Sequence, residues 1–208
     1  MDPNIAVPTL TGAITVAAGQ GRLRRQAGVT LTETLLVLAL AAALGAVAYR
    51  SYSSAREEAR LSDMTTGAIA LIGKIGQFYS AAADYSGLTP EILHKAGIVP
   101  PQFRTVTDSN GTVELRDPFG NTVDINGTGG SYALAFRRLT QAACSSLATA
   151  LTSIAHRIAA GASVTAANGV IDTGANGRIY KDETTSADLA GLVDGCSQDS
   201  ALLAVEVR

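Results

Sequence analysis

Gly28-Val29-Thr30-Leu31-Thr32-Glu33, running directly into Thr34–Tyr49 (TLLVLALAAALGAVAY), is the stretch on which the fold turns. Thr34–Tyr49 carries no charge, and back to Val29 the one charged residue is Glu33. The 21 residues Val29–Tyr49 rise about 1.5 Å each and so match the roughly 30 Å hydrocarbon core of a bilayer. The stretch therefore predicts one transmembrane helix. Arg22, Arg24 and Arg25 stand just before it, and the positive-inside bias then holds residues 1–28 in the cytoplasm and sends the remainder outward.

Three other readings compete for this segment. A buried core helix is as apolar, but it leaves the abrupt basic flank unexplained. A secretory signal would use Leu35–Gly45 as its apolar region and Ala46-Val47-Ala48 as an A-x-A site, releasing a soluble protein after Ala48. A plain signal anchor is the third. The last two give Glu33 no purpose.

The motif Gly28–Glu33, between a basic leader and an apolar helix, resembles the cleavage site of type IV prepilins. The resemblance implies that prepilin peptidase cuts after Gly28, that Val29 becomes the N-methylated first residue, and that Glu33, fifth in the mature chain, acts in assembly. The physics is consistent with this. Glycine lets an extended backbone enter a peptidase cleft at low steric cost. A glutamate near a membrane helix end costs up to about 2.5–3.5 kcal/mol at mid-bilayer and calls for a partner, which the new amine of Val29 in a neighbouring copy can supply. The bland alternative for Glu33 is an interfacial charge that snorkels to water. The 28-residue leader and a first residue other than phenylalanine resemble the IVb subclass, as in conjugative thin pili and enteric adhesive pili. Arg50 stands where IVa pilins carry a kinking proline, so any loosening of the helix is expected at Gly45. As implied partners the resemblance brings copies of the chain in a helical filament, the peptidase, an assembly platform with its ATPase, and the inner membrane before export to an extracellular pilus. Pseudopilins and minor pilins of secretion machines share the motif and form the alternative.

The totals suit one membrane-associated or compactly folded domain better than a disordered chain. Of 208 residues, 47% are hydrophobic and 16% charged, enough to bury a core. A formal charge of −2 gives no basic field for a phosphate backbone, which argues against nucleic acid as the main ligand. Residues 1–28 hold net +2, so the body from Val29 is −4. The two cysteines, Cys144 and Cys196, have no C-x-x-C neighbour; in an exported body they would pair, and in a cytosolic one two unrelated buried thiols would be the default.

Beyond the membrane segment, Leu61, Met64, Ala68, Ile69, Leu71, Ile72, Ile75, Phe78 and Tyr79 recur at helical spacing and predict an apolar stripe packed on a head. Arg56, Glu57, Glu58, Arg60 and Asp63 would be solvated or would bridge neighbouring copies. The expected fold is α+β: leader 1–28, helical spine 29–85 continuing to about Ala83, and a globular antiparallel head 86–208. Within the head, Leu88–Gln102 reads as a loop with one short helix. Thr112–Arg116, Thr122–Asn126, Tyr132–Phe136 and Ala201–Val207 read as strands, Asp117–Asn121 as a turn, and Leu139–Ala160 as a helix carrying Leu147, Leu151, Ile154 and Ile158. Leu139–Cys144 with Leu147 resembles the IVb helix that begins at the first disulfide cysteine, and this implies a Cys144–Cys196 bridge.

Catalytic signals are weak. His94 and His156 lack metal-ligand neighbours, and Ser145-Ser146 lack the glycines of a nucleophile elbow. Asp124 and Asp182-Glu183 lack calcium-loop spacing, and Asn126–Gly130 lacks the lysine of a phosphate loop. No enzyme activity, cofactor or metal is expected.

Overall fold

The computed structural model describes residues 30–208 apart from Ala83, Gln198 and Asp199. Arg22, Arg24, Arg25, Gly28 and Val29 lie outside the described residues. The described chain divides into two compact units that meet between Val47 and Ala48.

One helix, α1, runs from Leu31 to Tyr79. Its first unit, Leu31–Val47, is exposed throughout. Within the second unit the predicted stripe is buried at Met64, Ala68, Leu71, Ile72, Ile75 and Tyr79. Each such side chain contributes about 1.5–3 kcal/mol of burial, so the stripe supplies on the order of 10 kcal/mol before entropy. Ile69 and Phe78 do not join it, being 43% and 51% exposed. Ile69 sits about 100° round the helix from Ala68, and Phe78 rests edge-on against Tyr79 at 5.2 Å. The helix stops at Tyr79, short of Ala83, where the Ser80 hydroxyl donates to the Gln77 carbonyl at 2.8 Å.

The stripe packs on a seven-stranded antiparallel sheet. Its strands are β1 (Arg104–Thr107), β2 (Val113–Arg116), β3 (Thr122–Thr128), β4 (Ser131–Leu139), β5 (Arg157–Gly161), β8 (Gly177–Lys181) and β9 (Ala201–Val207). The order is β1-β2-β3-β4-β9-β5-β8, so the last strand lies inside the sheet between β4 and β5. Strand period places Leu134 and Phe136, Leu203 and Val205, and Ile158 and Ala160 on the face that holds the main core. Tyr132 reaches from this face to donate to the Ile72 carbonyl at 3.3 Å. On the opposite face Ala135, Ala204 and Ala159 stand side by side across three strands. This flat row is covered by Val164 and by Ile171 of the hairpin β6 (Thr165–Ala167) and β7 (Val170–Asp172). The short helix α2 (Pro90–Lys95), capped by Thr89, lies in the loop where one was expected.

The expected helix Leu139–Ala160 is corrected. Leu139 ends β4, and Thr140 caps α3, which covers Gln141–Leu151 only. The Lys181 ammonium then donates to the carbonyls of Thr152 and Ala155, 2.6 Å each, and occupies the end of the helix. Ile154 is 38% exposed in the turn, while Ile158 is a strand residue whose i+4 spacing from Ile154 is coincidental. A further helix, α4 (Leu189–Cys196), and strands β1, β5, β6, β7 and β8 were not anticipated.

Two glycines of α1 give opposite expectations for one substitution. A Cβ on Gly67 would meet the Phe103 ring at 2.7 Å and Gln102 Cβ at 2.9 Å, whereas one on Gly73 meets nothing. Gly73→Ala should stabilise the subunit by up to about 1 kcal/mol through helix propensity. Gly67→Ala should destabilise it, because a clash of about 1–3 kcal/mol outweighs that gain. Denaturant unfolding of the two detergent-solubilised variants checks the pair; equal signs would refute the packing at Gly67.

Candidate assembly surface

The helix α1 begins where the Glu33 and Thr34 amides donate to the Thr30 carbonyl at 3.0 and 3.1 Å. Glu33 lies in the first turn, close to the unpaired amides and positive dipole end of the helix. The side chains that follow face outward in every direction: Leu35, Leu36, Val37 and Leu38 are 57–65% exposed and together cover a full helical turn. Apolar exposure persists at Leu40, Leu44, Val47, Tyr49 and Tyr52. A helix that is apolar all round needs lipid or other helices around it. Among the described residues this is the one helix long and apolar enough to cross a membrane. Helical geometry continues unbroken through Gly45 and Arg50. Arg56 then lies 5.5 Å from the Tyr52 ring centroid, and exposed Arg56, Glu57, Glu58, Arg60 and Asp63 form no ion pair among the described residues.

In the second unit Cys144 of α3 and Cys196 of α4 form a disulfide with both sulfurs buried. Closing 52 residues of sequence, it contributes about 4 kcal/mol in the loop-entropy model.

The remaining candidates have structural partners. His94 shares a 2.8 Å hydrogen bond with the Thr105 hydroxyl, and His156 hydrogen-bonds Glu183 before β5. That bond, with Arg208 at 2.5 Å from Glu183, holds the Glu183 carboxyl below its ordinary range. Asp182 faces Arg157 at 3.9 Å, Asp124 is bound by Arg137 at 2.5 Å, and Ser145 and Ser146 lie on α3. Asn126 clamps the covering hairpin by donating to the Ala166 carbonyl at 2.8 Å and accepting from the Gly169 amide at 2.7 Å. Among the described residues no three His, Cys, Asp or Glu side chains gather as metal ligands.

The Asp117–Asn121 turn is built around a buried carboxylate. Asp117 Oδ1 accepts from the amides of Phe119 and Asn121 at 2.9 and 2.8 Å, while Oδ2 is buried without a partner. Burial raises the Asp117 carboxyl above its ordinary range, and the amide hydrogen bonds only partly offset this.

An exposed apolar helical segment is followed by a stripe packed on a disulfide-closed antiparallel sheet, and this is the fold of the type IV pilins. The fold is shared with a solved structure, TcpA, a type IV pilin from Vibrio cholerae El Tor, at a TM-score of 0.50 and 16% identity over 72% of this chain and 99% of that one. A type IVb pilin from Salmonella typhi also matches, with a TM-score of 0.45 and 14% identity over 71% of this chain and 97% of its own. Residues 53–187 match the family model described as Bundlin. The chain belongs to the bundlin family. It is 31% identical over 126 residues to the major structural subunit of the bundle-forming pilus of Escherichia coli O127:H6, and equally to that of Escherichia coli O111:H-. The match covers 59% of this chain and 63% of the length of those relatives.

Asp117 yields a pH expectation. Its folded value is raised, so its contribution to stability is full below the ordinary aspartate value of about 3.9 and is lost as pH rises through the folded value. The wild type should therefore gain stability relative to Asp117→Asn as pH falls from 7 towards 4. Unfolding curves at the two pH values measure this; a difference that shrinks or stays constant would contradict the buried, unpartnered Oδ2.

Proposed function

We propose that this chain is the structural, non-catalytic subunit of a type IVb pilus, and the observation that carries the reading is the all-round apolar exposure of Leu35–Tyr49. Before assembly that surface sits in the inner membrane; afterwards it packs against the same surface of other copies. In this reading residues 1–28 are the leader, 29–85 the spine and 86–208 the head. Prepilin peptidase cuts between Gly28 and Val29, the Val29 amine is methylated, and the assembly platform with its ATPase draws subunits into an extracellular fimbrium. Such a filament serves conjugation, adhesion or aggregation. The relatives' role as major subunits of a bundle-forming pilus supports this reading.

Glu33 acts in that assembly. It adds a carboxylate to the first turn of an apolar helix, and in a filament core the Val29 amine of a neighbour is its partner. Removing one member of a buried pair costs about 3–5 kcal/mol, because the other charge is left uncompensated. Glu33→Val should leave cleavage and insertion intact yet abolish filaments, with mature subunit accumulating in the membrane. Electron microscopy of sheared fractions beside an immunoblot measures both, and the intact mass of the mature subunit should begin at methylated Val29. Long fibres from Glu33→Val would remove the assembly role, and a product beginning at Tyr49 would remove the pilin reading.

A further inference from the structure

The other concentrated chemistry on the head is cationic. A cavity of about 370 Å³ is lined by Arg116, Arg137 and Arg138, with Asn121, Thr122 and Ser200 between them. It shares Arg116 and Gly120 with a neighbouring cavity that adds Arg60 and Arg104. In a body whose net charge is negative, five arginines thus face one region. Two of them are aimed by neighbours: Arg116 bonds Glu114 and donates to the Gly120 carbonyl at 3.1 Å, and Arg137 bonds Asp124 at 2.5 Å. Arg60, Arg104 and Arg138 form no ion pair among the described residues.

Arg138 is placed there against its own backbone preference. The register of β4 on β9 shifts between Phe136 and Leu139, and Arg138 in that irregularity has φ 55°, a left-handed conformation that costs a non-glycine residue free energy. Glycine or asparagine would make the same bend more cheaply. The arginine instead brings a third guanidinium to the cavity.

We propose that this cavity binds the carboxylates of an acidic polysaccharide, with Arg138 as the principal cation and Asn121, Thr122 and Ser200 as partners for sugar hydroxyls. A guanidinium fork matches a carboxylate through two parallel hydrogen bonds. Nucleic acid fits less well, because single strands are held by aromatic stacking and the cavity wall carries no aromatic ring. Its concave form also suits one sugar acid better than a continuous phosphate backbone. A single site with two neutralised arginines binds weakly. Many copies along one filament raise the avidity by about 10²–10⁴, a step that rests on the pilus reading, whereas the site itself does not.

The test uses full-length subunits in detergent, immobilised densely on a biosensor, and separately the sheared filaments. Alginate and hyaluronan are the uronate probes, neutral dextran and duplex DNA the comparisons. Expected is salt-sensitive capture of a uronate polymer that falls at least about tenfold in Arg138→Asn, a residue suited to the same backbone. Arg178→Asn, which removes an ion pair with Asp194 on the far side of the sheet, should bind like wild type. Preference for alginate or for hyaluronan assigns a microbial or an animal source, and either supports the site. Undiminished binding by Arg138→Asn, no binding by wild-type subunits, or DNA captured as well as uronate would overturn it. Capture by subunits but not by filaments would show the cavity covered on assembly and overturn its role as a surface receptor. Should Arg138→Asn unfold by circular dichroism, Arg137→Gln and Arg116→Gln are measured together in its place, and unchanged capture by both overturns the proposal equally.

Discussion

A single helix carries two incompatible demands for burial, and the rest of the structure follows from how they are met. From Met64 to Tyr79 one stripe of α1 is covered by the chain's own sheet. From Leu35 to Tyr49 the helix is apolar on every side and nothing among the described residues covers it. Hydrophobic burial is proportional to area and indifferent to whether the covering atoms come from the same molecule. The exposed segment therefore needs a lipid bilayer or other helices. The stripe, by contrast, is satisfied internally, which lets the second unit fold around it with a core of its own.

That unit is closed by contacts distant in sequence. The last strand, β9, lies between β4 and β5, so the sheet is complete only when the chain's end is in place. The disulfide joins α3 to α4 and fixes the segment that contains β5 to β8 against the same core. On the other face the alanine row formed by Ala135, Ala204 and Ala159 allows the β6–β7 hairpin to approach the sheet closely, and Asn126 secures the hairpin by two hydrogen bonds. Larger residues in that row would hold the hairpin away from the sheet.

The legible parts of the sequence were those with a strong period or strong punctuation. The α1 stripe, the Asp117–Asn121 turn with its flanking strands, and Ala201–Val207 can be read from residues 61–79, 112–126 and 201–207 because apolar spacing and turn residues agree there. After Leu151 local spacing and fold diverge. Leu147, Leu151, Ile154 and Ile158 continue a helical spacing, and Arg157–Gly161 sets a single β-branched residue, Ile158, among alanines and a glycine. What makes β5 a strand is pairing with β9 on one side and β8 on the other, contacts that no local window contains. The arginine cavity is hidden for the same reason: its members come from β2, the start of β3, β4 and the start of β9, and only the sheet register gathers them.

Charge at the sheet margins is a second consequence of this topology. A bare sheet edge invites strand pairing between copies of a chain. The edge strand β1 is four residues long and begins with Arg104, and α2 meets it through the bond between His94 and Thr105. At the other edge β8 is tied to α4 by Arg178 and Asp194 at 2.9 Å, and Lys181 turns its ammonium back onto the carbonyls after α3. Short length, cationic side chains and a helix beside each edge discourage edge pairing. Among the described residues the large uncovered apolar surface lies instead on the first half of α1.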